Sequence, residues 1–238
     1  MDSVFALVAA GVASAFAVEL YLSWRTRKRL HAEVWALAFG AYALASWALV
    51  IGLTFGWSTV SFRLFYWFGA IANIPLLAAG SIALVVSERA ARRFLTPTLL
   101  WVVFGFFATF LAPFVNQLPT EGVPEGSQVF DFTFMIDALT LPGPRLFAAI
   151  SGGVGSLVIV VLSLVTIVRV VRSNRELAIA NGLIIAGALA PALGGTLTAL
   201  GTSESLSLTL MVGITLLWFG YRKAVAARPR VAASVGNG

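Results

Sequence analysis

Long apolar runs separated by short polar stretches are the dominant pattern of the 238-residue chain. A helix needs about 20 mainly apolar residues to cross a bilayer core about 30 Å thick. Seven runs reach this length, and they cover residues 3–24, 34–56, 64–86, 94–115, 146–168, 177–201 and 203–221. The pattern therefore predicts an all-α fold, with residues 1–222 forming one integral membrane domain, a bundle of seven transmembrane helices.

Basic residues gather in alternate connections of this predicted bundle. Every Lys and Arg except Arg63 and Arg145 follows the first, third, fifth or seventh predicted helix. Connections rich in Lys and Arg remain in the cytoplasm. The distribution predicts an N-terminus outside and a cytoplasmic C-terminus. The preference for Arg over Lys is typical of GC-rich bacterial genes, so the expected location is a bacterial cytoplasmic (inner) membrane.

Two stretches fall outside the predicted helices. Loop 116–145 is acidic and rich in Phe, and its run 129–136 alternates at first between apolar and polar residues. Such a run is typical of a short strand or of a segment lying on the membrane surface. We expect this extracytoplasmic loop to form a lid over the outer mouth of the bundle; the alternative is a disordered acidic connection. The tail 223–238 is predicted to be cytoplasmic and disordered.

Composition excludes several classes of function. Hydrophobic residues make up 59% of the chain and charged residues 11%, too few to cover a water-exposed surface. The net charge of +6 is confined to short clusters, so nucleic acid is not an expected partner. The chain has no Cys, a single His31 and only Lys28 and Lys223 as lysines, which excludes thiol chemistry, paired haem ligands and a retinal Schiff base. Because known hydrolase and phosphate-binding motifs are also missing, we expect no enzymatic activity, no cofactor and no metal site.

Prolines and polar residues at mid-membrane depth predict an interior ligand site. Asn73 and Pro75 lie near the middle of the third predicted helix, and Pro191 is followed by Thr196 in the sixth. Backbone breaks inside a bilayer are tolerated where protein or water satisfies the freed carbonyl groups. These four residues are therefore ligand-binding candidates, although a proline kink without functional meaning is the alternative.

Glu19 is the one acidic residue well inside a predicted helix. An ionisable group that faces the interior of a membrane bundle is a candidate for ion coupling. The alternative is a structural role near the cytoplasmic end, where Glu19 would reach the interface or pair with an Arg.

Two stripes of similar residues complete the set of candidates. Phe104, Phe107, Phe110 and Phe114 share one face of the fourth predicted helix. Phe107 and Phe110 are candidates for a pocket that holds a long apolar ligand; a lipid-facing or packing stripe is the alternative. Small residues at 151, 152, 155 and 156 predict a close helix contact, either inside the bundle or between protomers.

The span pattern and one sequence stretch carry two resemblances. Seven spans with the stretch 62–70 (FRLFYWFGA) resemble the sensory modules that precede bacterial histidine kinases and cyclases, and uncharacterised bacterial seven-span proteins. No output domain follows Tyr221, so this resemblance implies signalling through a partner. Arg25, Leu30 and Gly40 match Arg172, Leu177 and Gly187, an arrangement of three, one and three helices that resembles sugar-efflux and PQ-loop transporters, although the chain has no Pro-Gln pair.

The sequence thus leaves two functions open. The first is a non-enzymatic, sensor-like or accessory membrane protein that binds a small lipophilic ligand, a partner membrane protein or a second copy of itself. The alternative is a secondary transporter for small solutes. A water-accessible cavity lined by Asn73 and Thr196 would favour transport, and a dry pocket lined by Phe107 and Phe110 would favour a lipophilic ligand.

Overall fold

The part of the chain that the structure describes contains seven helices long and apolar enough to cross a membrane, as the sequence predicts. The computed structural model describes residues 1–119, 122–199 and 205–227, without the side chains of 195–199 and 205. Its elements are α1 Asp2–Arg27, α2 Leu30–Phe55, α3 Thr59–Tyr66, a π-helical segment Trp67–Ala72, α4 Asn73–Val85, α5 Glu88–Leu111, α6 Gly126–Val129, β1 Thr133–Ile136, β2 Leu139–Pro142, α7 Pro144–Val170, α8 Arg175–Ala199 and α9 Ser205–Ala227. The third span is the continuous run of α3, the π segment and α4. The predicted turn between the last two spans, at 201–204, and residues 228–238 of the predicted tail lie outside the described residues. Residues 223–227, expected to belong to a disordered tail, instead continue helix α9.

Capping residues explain where the fourth span differs from its predicted range of 94–115. The side-chain oxygen of Ser87 accepts a hydrogen bond from the Ala90 N–H at 3.1 Å, so α5 already begins at Glu88. A side-chain cap of this kind stabilises a helix start whatever its hydropathy. At the other end Ala112 is extended, with ψ at 134°, because Pro113 disfavours a helical residue before it.

Hydrogen bonds place the basic connections at one end of the bundle. The Leu30 N–H donates to Glu88 Oε1 at 3.4 Å, which joins the start of α2 to the start of α5. The Asn174 side-chain amide donates to the Ala227 carbonyl at 2.8 Å, which joins the α7–α8 connection to the end of α9. We call this the basic end. The opposite end, which carries the loop between α5 and α7, is the lid end.

The described part of 112–143, here called the lid, is folded against the bundle. Strands β1 and β2 pair antiparallel around Asp137, whose φ of 53° is a left-handed conformation that Asp tolerates in a two-residue turn. The predicted strand within 129–136 is thus confirmed for Thr133–Ile136. Phe130 is fully buried, with its ring centroid 5.0 Å from that of Tyr66 in α3. The lid is therefore a packed layer over α3.

Arg63 of α3 joins the lid to the end of α5. Its guanidinium donates to the carbonyl oxygens of Thr109 and Ala112, the second at 2.8 Å, and it lies 4.7 Å from the centre of the Phe114 ring. The last carbonyls of a helix have no partner within the helix, and a cation is favoured there by the helix dipole. Arg63 therefore satisfies carbonyl groups at the end of α5 and positions the first residues of the lid.

Tryptophan N–H groups connect neighbouring helices across the bundle. Trp35 of α2 donates to the Leu77 carbonyl of α4 at 3.1 Å. Trp67 of the π segment donates to the Val102 carbonyl of α5 at 3.0 Å, and Trp101 of α5 donates to Ser151 Oγ of α7 at 3.0 Å. Each indole buries a large apolar surface and satisfies its single donor, as a buried Trp requires.

Glycines allow α8 and α9 to pack backbone against backbone. A Cβ atom at Gly187 would lie 2.7 Å from the Gly213 carbonyl oxygen and 2.8 Å from the Leu217 nitrogen. Both obstacles are main-chain atoms that cannot turn aside. Small residues permit such close approach of membrane helices, where van der Waals contact replaces the hydrophobic effect as the driving force.

Replacing Gly187 by Ala should separate α8 from α9 and lower the free energy of unfolding by about 1 to 3 kcal/mol, the usual cost of overpacking. Gly182→Ala on the same helix is the matched control, because a Cβ there meets nothing within 4 Å. Thermal unfolding of the purified variants in one detergent measures both effects. Equal midpoints for the two variants would contradict the close contact.

Replacing Arg63 by Ala should release the lid, because two helix-end carbonyls lose charged donors. We expect the lid to lose about 2 to 4 kcal/mol of protection, with Arg63→Lys in between since Lys lacks the forked geometry. Hydrogen exchange of residues 112–119 and 122–143, followed by mass spectrometry, measures this directly. Unchanged exchange in Arg63→Ala would show that the lid is held by its Phe side chains alone.

Candidate functional site

A cavity of about 320 Å³ lies among five spans and is bordered by the lid. Its wall is mainly apolar and comes from α2, the third span, α7, α8 and α9, with three lid residues. The lining residues are Tyr42, Ala45, Ser46, Phe65, Tyr66, Gly69, Ala70, Asn73, Ile74, Pro124, Glu125, Gly126, Ala148, Gly152, Ser156, Pro191, Ala192, Leu206 and Leu210. A concave, mainly apolar space with a few polar groups is typical of a small-molecule site.

Small side chains on α7 make room for this cavity. Ala148, Gly152 and Ser156 recur every four residues, so they share one helix face, and all three line the cavity. A Cβ atom at Gly152 would meet nothing within 4 Å. The predicted close contact belongs instead to the adjacent positions: a Cβ at Gly155 would lie 2.6 Å from Ile74 Cγ2, and Ser151 accepts the Trp101 N–H.

The π segment places Asn73 in the wall. Pro75 has no N–H, so the carbonyl of Ile71 has no i+4 donor and the local helix widens. The Asn73 N–H accordingly donates to the Phe68 carbonyl, five residues earlier. Pro75 itself is buried in α4 and is not among the lining residues, so its effect on the cavity is through the backbone.

The side-chain amide of Asn73 is the unusual polar group of the site. Its side chain is only 7% exposed, yet Oδ1 has no hydrogen-bond partner among the described residues. More than 90% of buried polar groups in proteins are paired, and an unpaired one costs about 1 to 3 kcal/mol. An acceptor left open at a cavity wall fits a donor supplied by a bound molecule.

The other polar groups of the wall are used within the chain to different extents. The Tyr42 hydroxyl donates to the Leu210 carbonyl at 2.7 Å. Glu125 of the lid accepts a hydrogen bond from the Ser127 hydroxyl, and Ser46 is almost fully buried. Within the described ranges no three His, Asp or Glu side chains come close enough together to hold a metal ion.

Pro191 lies in the wall on the side of α8, as expected for a ligand-binding candidate. Because proline lacks an N–H, the carbonyl of Gly187 has no helical donor, and this carbonyl lies against Gly213 of α9. Thr196 belongs to α8, but its side chain lies outside the described residues. The structure thus brings Asn73 and Pro191 to one cavity.

Phe107 and Phe110 do not line this cavity. Phe107 is 53% exposed on the outer face of α5, and Phe110 stacks on Phe106 with ring centroids 4.4 Å apart. The alternative of a lipid-facing stripe describes Phe107 better than a pocket does. Hydropathy could not distinguish the two, because a side chain that faces lipid is as apolar as one that faces a ligand.

Glu19 also lies away from the cavity wall. Its Oε2 accepts the Trp218 N–H at 2.9 Å, and the Arg222 guanidinium lies 5.4 Å from the centre of the Trp218 ring. These contacts join α1 to α9 in the half of the bundle nearer the basic end. They agree with the alternative that Glu19 has a structural role near the cytoplasmic end. Its direct partner is Trp218 and not the Arg that was expected.

No single sequence motif predicts the cavity. Asn73, Pro75 and Pro191 were visible as polar or helix-breaking residues, whereas Tyr66, Gly152 and Glu125 meet them only through the packing of three separate segments. The four-residue spacing of small side chains on α7 was the available signal. No family model, curated protein or solved structure matches the chain.

Proposed function

We propose that this protein is a non-enzymatic membrane protein that binds a small lipophilic molecule in the cavity under the lid. The observation that carries the proposal is the mainly apolar cavity of about 320 Å³, whose wall includes Asn73, a residue whose amide oxygen has no hydrogen-bond partner among the described residues. A ligand with one hydrogen-bond donor and an apolar body complements this acceptor and the surrounding wall. The cavity volume is near the lower limit of about 300 to 1,000 Å³ that is usual for ligand sites.

The wall favours an organic ligand over water alone. A well-held buried water makes about three hydrogen bonds, and a cavity of this volume has room for several waters. Most of the wall is apolar, and its residues include Ala, Gly, Ile, Leu and Phe as well as the rings of two Tyr. An apolar ligand would replace poorly bonded water and contact those groups.

The lid supports a sensor-like or accessory role. Gly126 of the lid lies directly on Tyr66, since a Cβ there would be 2.4 Å from the Tyr66 ring, and both residues line the cavity. Occupation of the cavity therefore acts on the same surface that holds the lid. The ligand would arrive from the lid side, and the lid or the exposed helix faces would transmit its presence to a partner membrane protein.

A carrier for small solutes is the second candidate, and two observations favour it. The cavity is lined by Asn73 and not by Phe107 and Phe110, which is the arrangement expected of a carrier. It also borders the π segment and Pro191, where the regular hydrogen bonding of a span is broken, and such breaks mark substrate sites in transporters. Glu19, the candidate for ion coupling, lies outside the cavity wall, which weakens this alternative. A carrier would move its solute across sealed proteoliposomes, whereas a binding protein would only retain it.

The proposal includes an orientation in the inner membrane, with the lid outside and the basic end in the cytoplasm. The chain has no Cys, so single cysteines report on topology without background. In intact bacteria a membrane-impermeant maleimide should label Ala138→Cys in the lid and should label Ser173→Cys at the basic end only after lysis. The reverse pattern, or labelling of both before lysis, would overturn the orientation.

Filling the cavity should abolish ligand binding without unfolding the protein. We expect the leucine side chain of Gly152→Leu to project into the cavity. Gly153→Leu is the matched control, because Gly153 does not line the cavity and a Cβ atom there also meets nothing within 4 Å. With 1-octanol as the probe and the protein in lipid nanodiscs, wild type and Gly153→Leu should gain about 1.4 kcal/mol of stability when the probe reaches ten times its Kd. Gly152→Leu should gain little.

Asn73→Ala tests whether the side-chain amide of Asn73 forms a hydrogen bond with the bound probe. Loss of one hydrogen bond should weaken octanol binding about fivefold, since such a bond contributes about 1 kcal/mol. The thermal unfolding midpoint in nanodiscs reads out all four proteins. An octanol response in Gly152→Leu equal to that of Gly153→Leu would refute the cavity as the binding site.

A further inference from the structure

We infer that the ligand of the cavity is a lipophilic cation, an apolar body that carries a protonated amine. This inference rests on the proposed binding function and names the chemical class of its ligand. Three features support it: the sign of the charge in the wall, the positions of the nearby cations and the supply of acceptors and aromatic rings.

Among the described residues that line the cavity, Glu125 is the one that carries a charge. It stands in the lid. Its carboxylate accepts one hydrogen bond from the Ser127 hydroxyl, and two carboxylate oxygens offer about four acceptor sites. The carboxylate thus has capacity for a further donor, and a cationic donor gains the most from it, because hydrogen bonds between charged groups are about twice as strong as neutral ones.

The cations near the lid are directed elsewhere. Arg63 donates to the Thr109 and Ala112 carbonyls. Arg145 lies 4.5 Å from the centre of the Phe132 ring; it acts electrostatically on Tyr66, but it is not part of the wall. An anionic ligand would therefore meet the Glu125 carboxylate and find no basic side chain among the lining residues.

The remaining wall is suited to an ammonium group. Tyr42, Phe65 and Tyr66 contribute aromatic rings to the cavity, and the face of such a ring attracts a cation. Asn73 Oδ1 is an acceptor without a partner. A protonated primary amine has three N–H donors and no acceptor, so it suits a wall whose charge is negative and whose rings attract cations. An alcohol brings one neutral donor and gains less from the carboxylate.

Three probes of equal chain length separate the ligand classes: octylamine, which is protonated at neutral pH, 1-octanol and octanoate. Each probe is titrated into the protein in phosphatidylcholine nanodiscs, and the shift in the thermal unfolding midpoint is measured. The shift that the same probe causes in Gly152→Leu is then subtracted. This subtraction removes the effect of probe dissolved in the bilayer. We expect octylamine to bind about tenfold more tightly than octanol, and octanoate more weakly than octanol.

Glu125→Gln tests the residue that carries the inference. It should reduce octylamine affinity about tenfold, to the level that the wild type shows for octanol, because the charged acceptor is lost. Ser127→Ala is the matched control, because it removes the hydrogen bond to Glu125 but keeps the charge and lies outside the wall. It should retain the preference for octylamine.

The possible outcomes separate this inference from the proposed function. Equal affinity for octylamine and octanol, or tighter binding of octanoate, would overturn the cationic ligand and leave the binding site in place. If none of the three probes distinguishes wild type from Gly152→Leu, the proposed binding function itself fails. If Glu125→Gln loses octanol binding as well, the order of the three affinities on the wild type decides whether the ligand is a cation. Tightest binding of octylamine supports the inference, and any other order overturns it.

Discussion

The need to satisfy polar groups inside an apolar bundle governs this structure. Trp35, Trp67 and Trp101 each donate to a carbonyl or hydroxyl group of a neighbouring helix, and Arg63 satisfies the last carbonyls of α5. In a region without water, each unpaired group would cost several kcal/mol. Among the described residues three buried side-chain oxygens lack a partner, those of Asp2, Asn73 and Ser207, and of these residues Asn73 alone is among those that line the cavity.

The cavity and the lid are parts of one assembly. Tyr66 contacts Gly126 and Phe130 of the lid and also lines the cavity, while Glu125 extends from the lid into the wall. A change in the contents of the cavity therefore reaches the lid through direct packing contacts. The glycine contact between α8 and α9 gives the opposite side of the cavity a firm support, since those backbones cannot approach further.

Hydropathy predicted the seven helices because helix length is set by the thickness of the bilayer core. It placed the start of the fourth span late, because the first turns of α5 are polar and are held by the Ser87 cap. Hydropathy could not predict which side chains face outward, because Phe107 on the exposed surface and Phe130 in the core are equally apolar. The partner of Glu19 and the wall contributed by Gly152 both depend on which helices become neighbours, a property of the whole fold rather than of any segment.

The small residues that line the cavity also set a thermodynamic compromise. Every 40 Å³ of unfilled core volume lowers stability by about 1 kcal/mol. Gly152 and Ala148 could each be replaced by a bulkier apolar residue that fills part of this space and strengthens the empty protein. The small residues therefore leave the empty protein less stable than a filled bundle would be, and a guest molecule that binds in the gap would recover that stability.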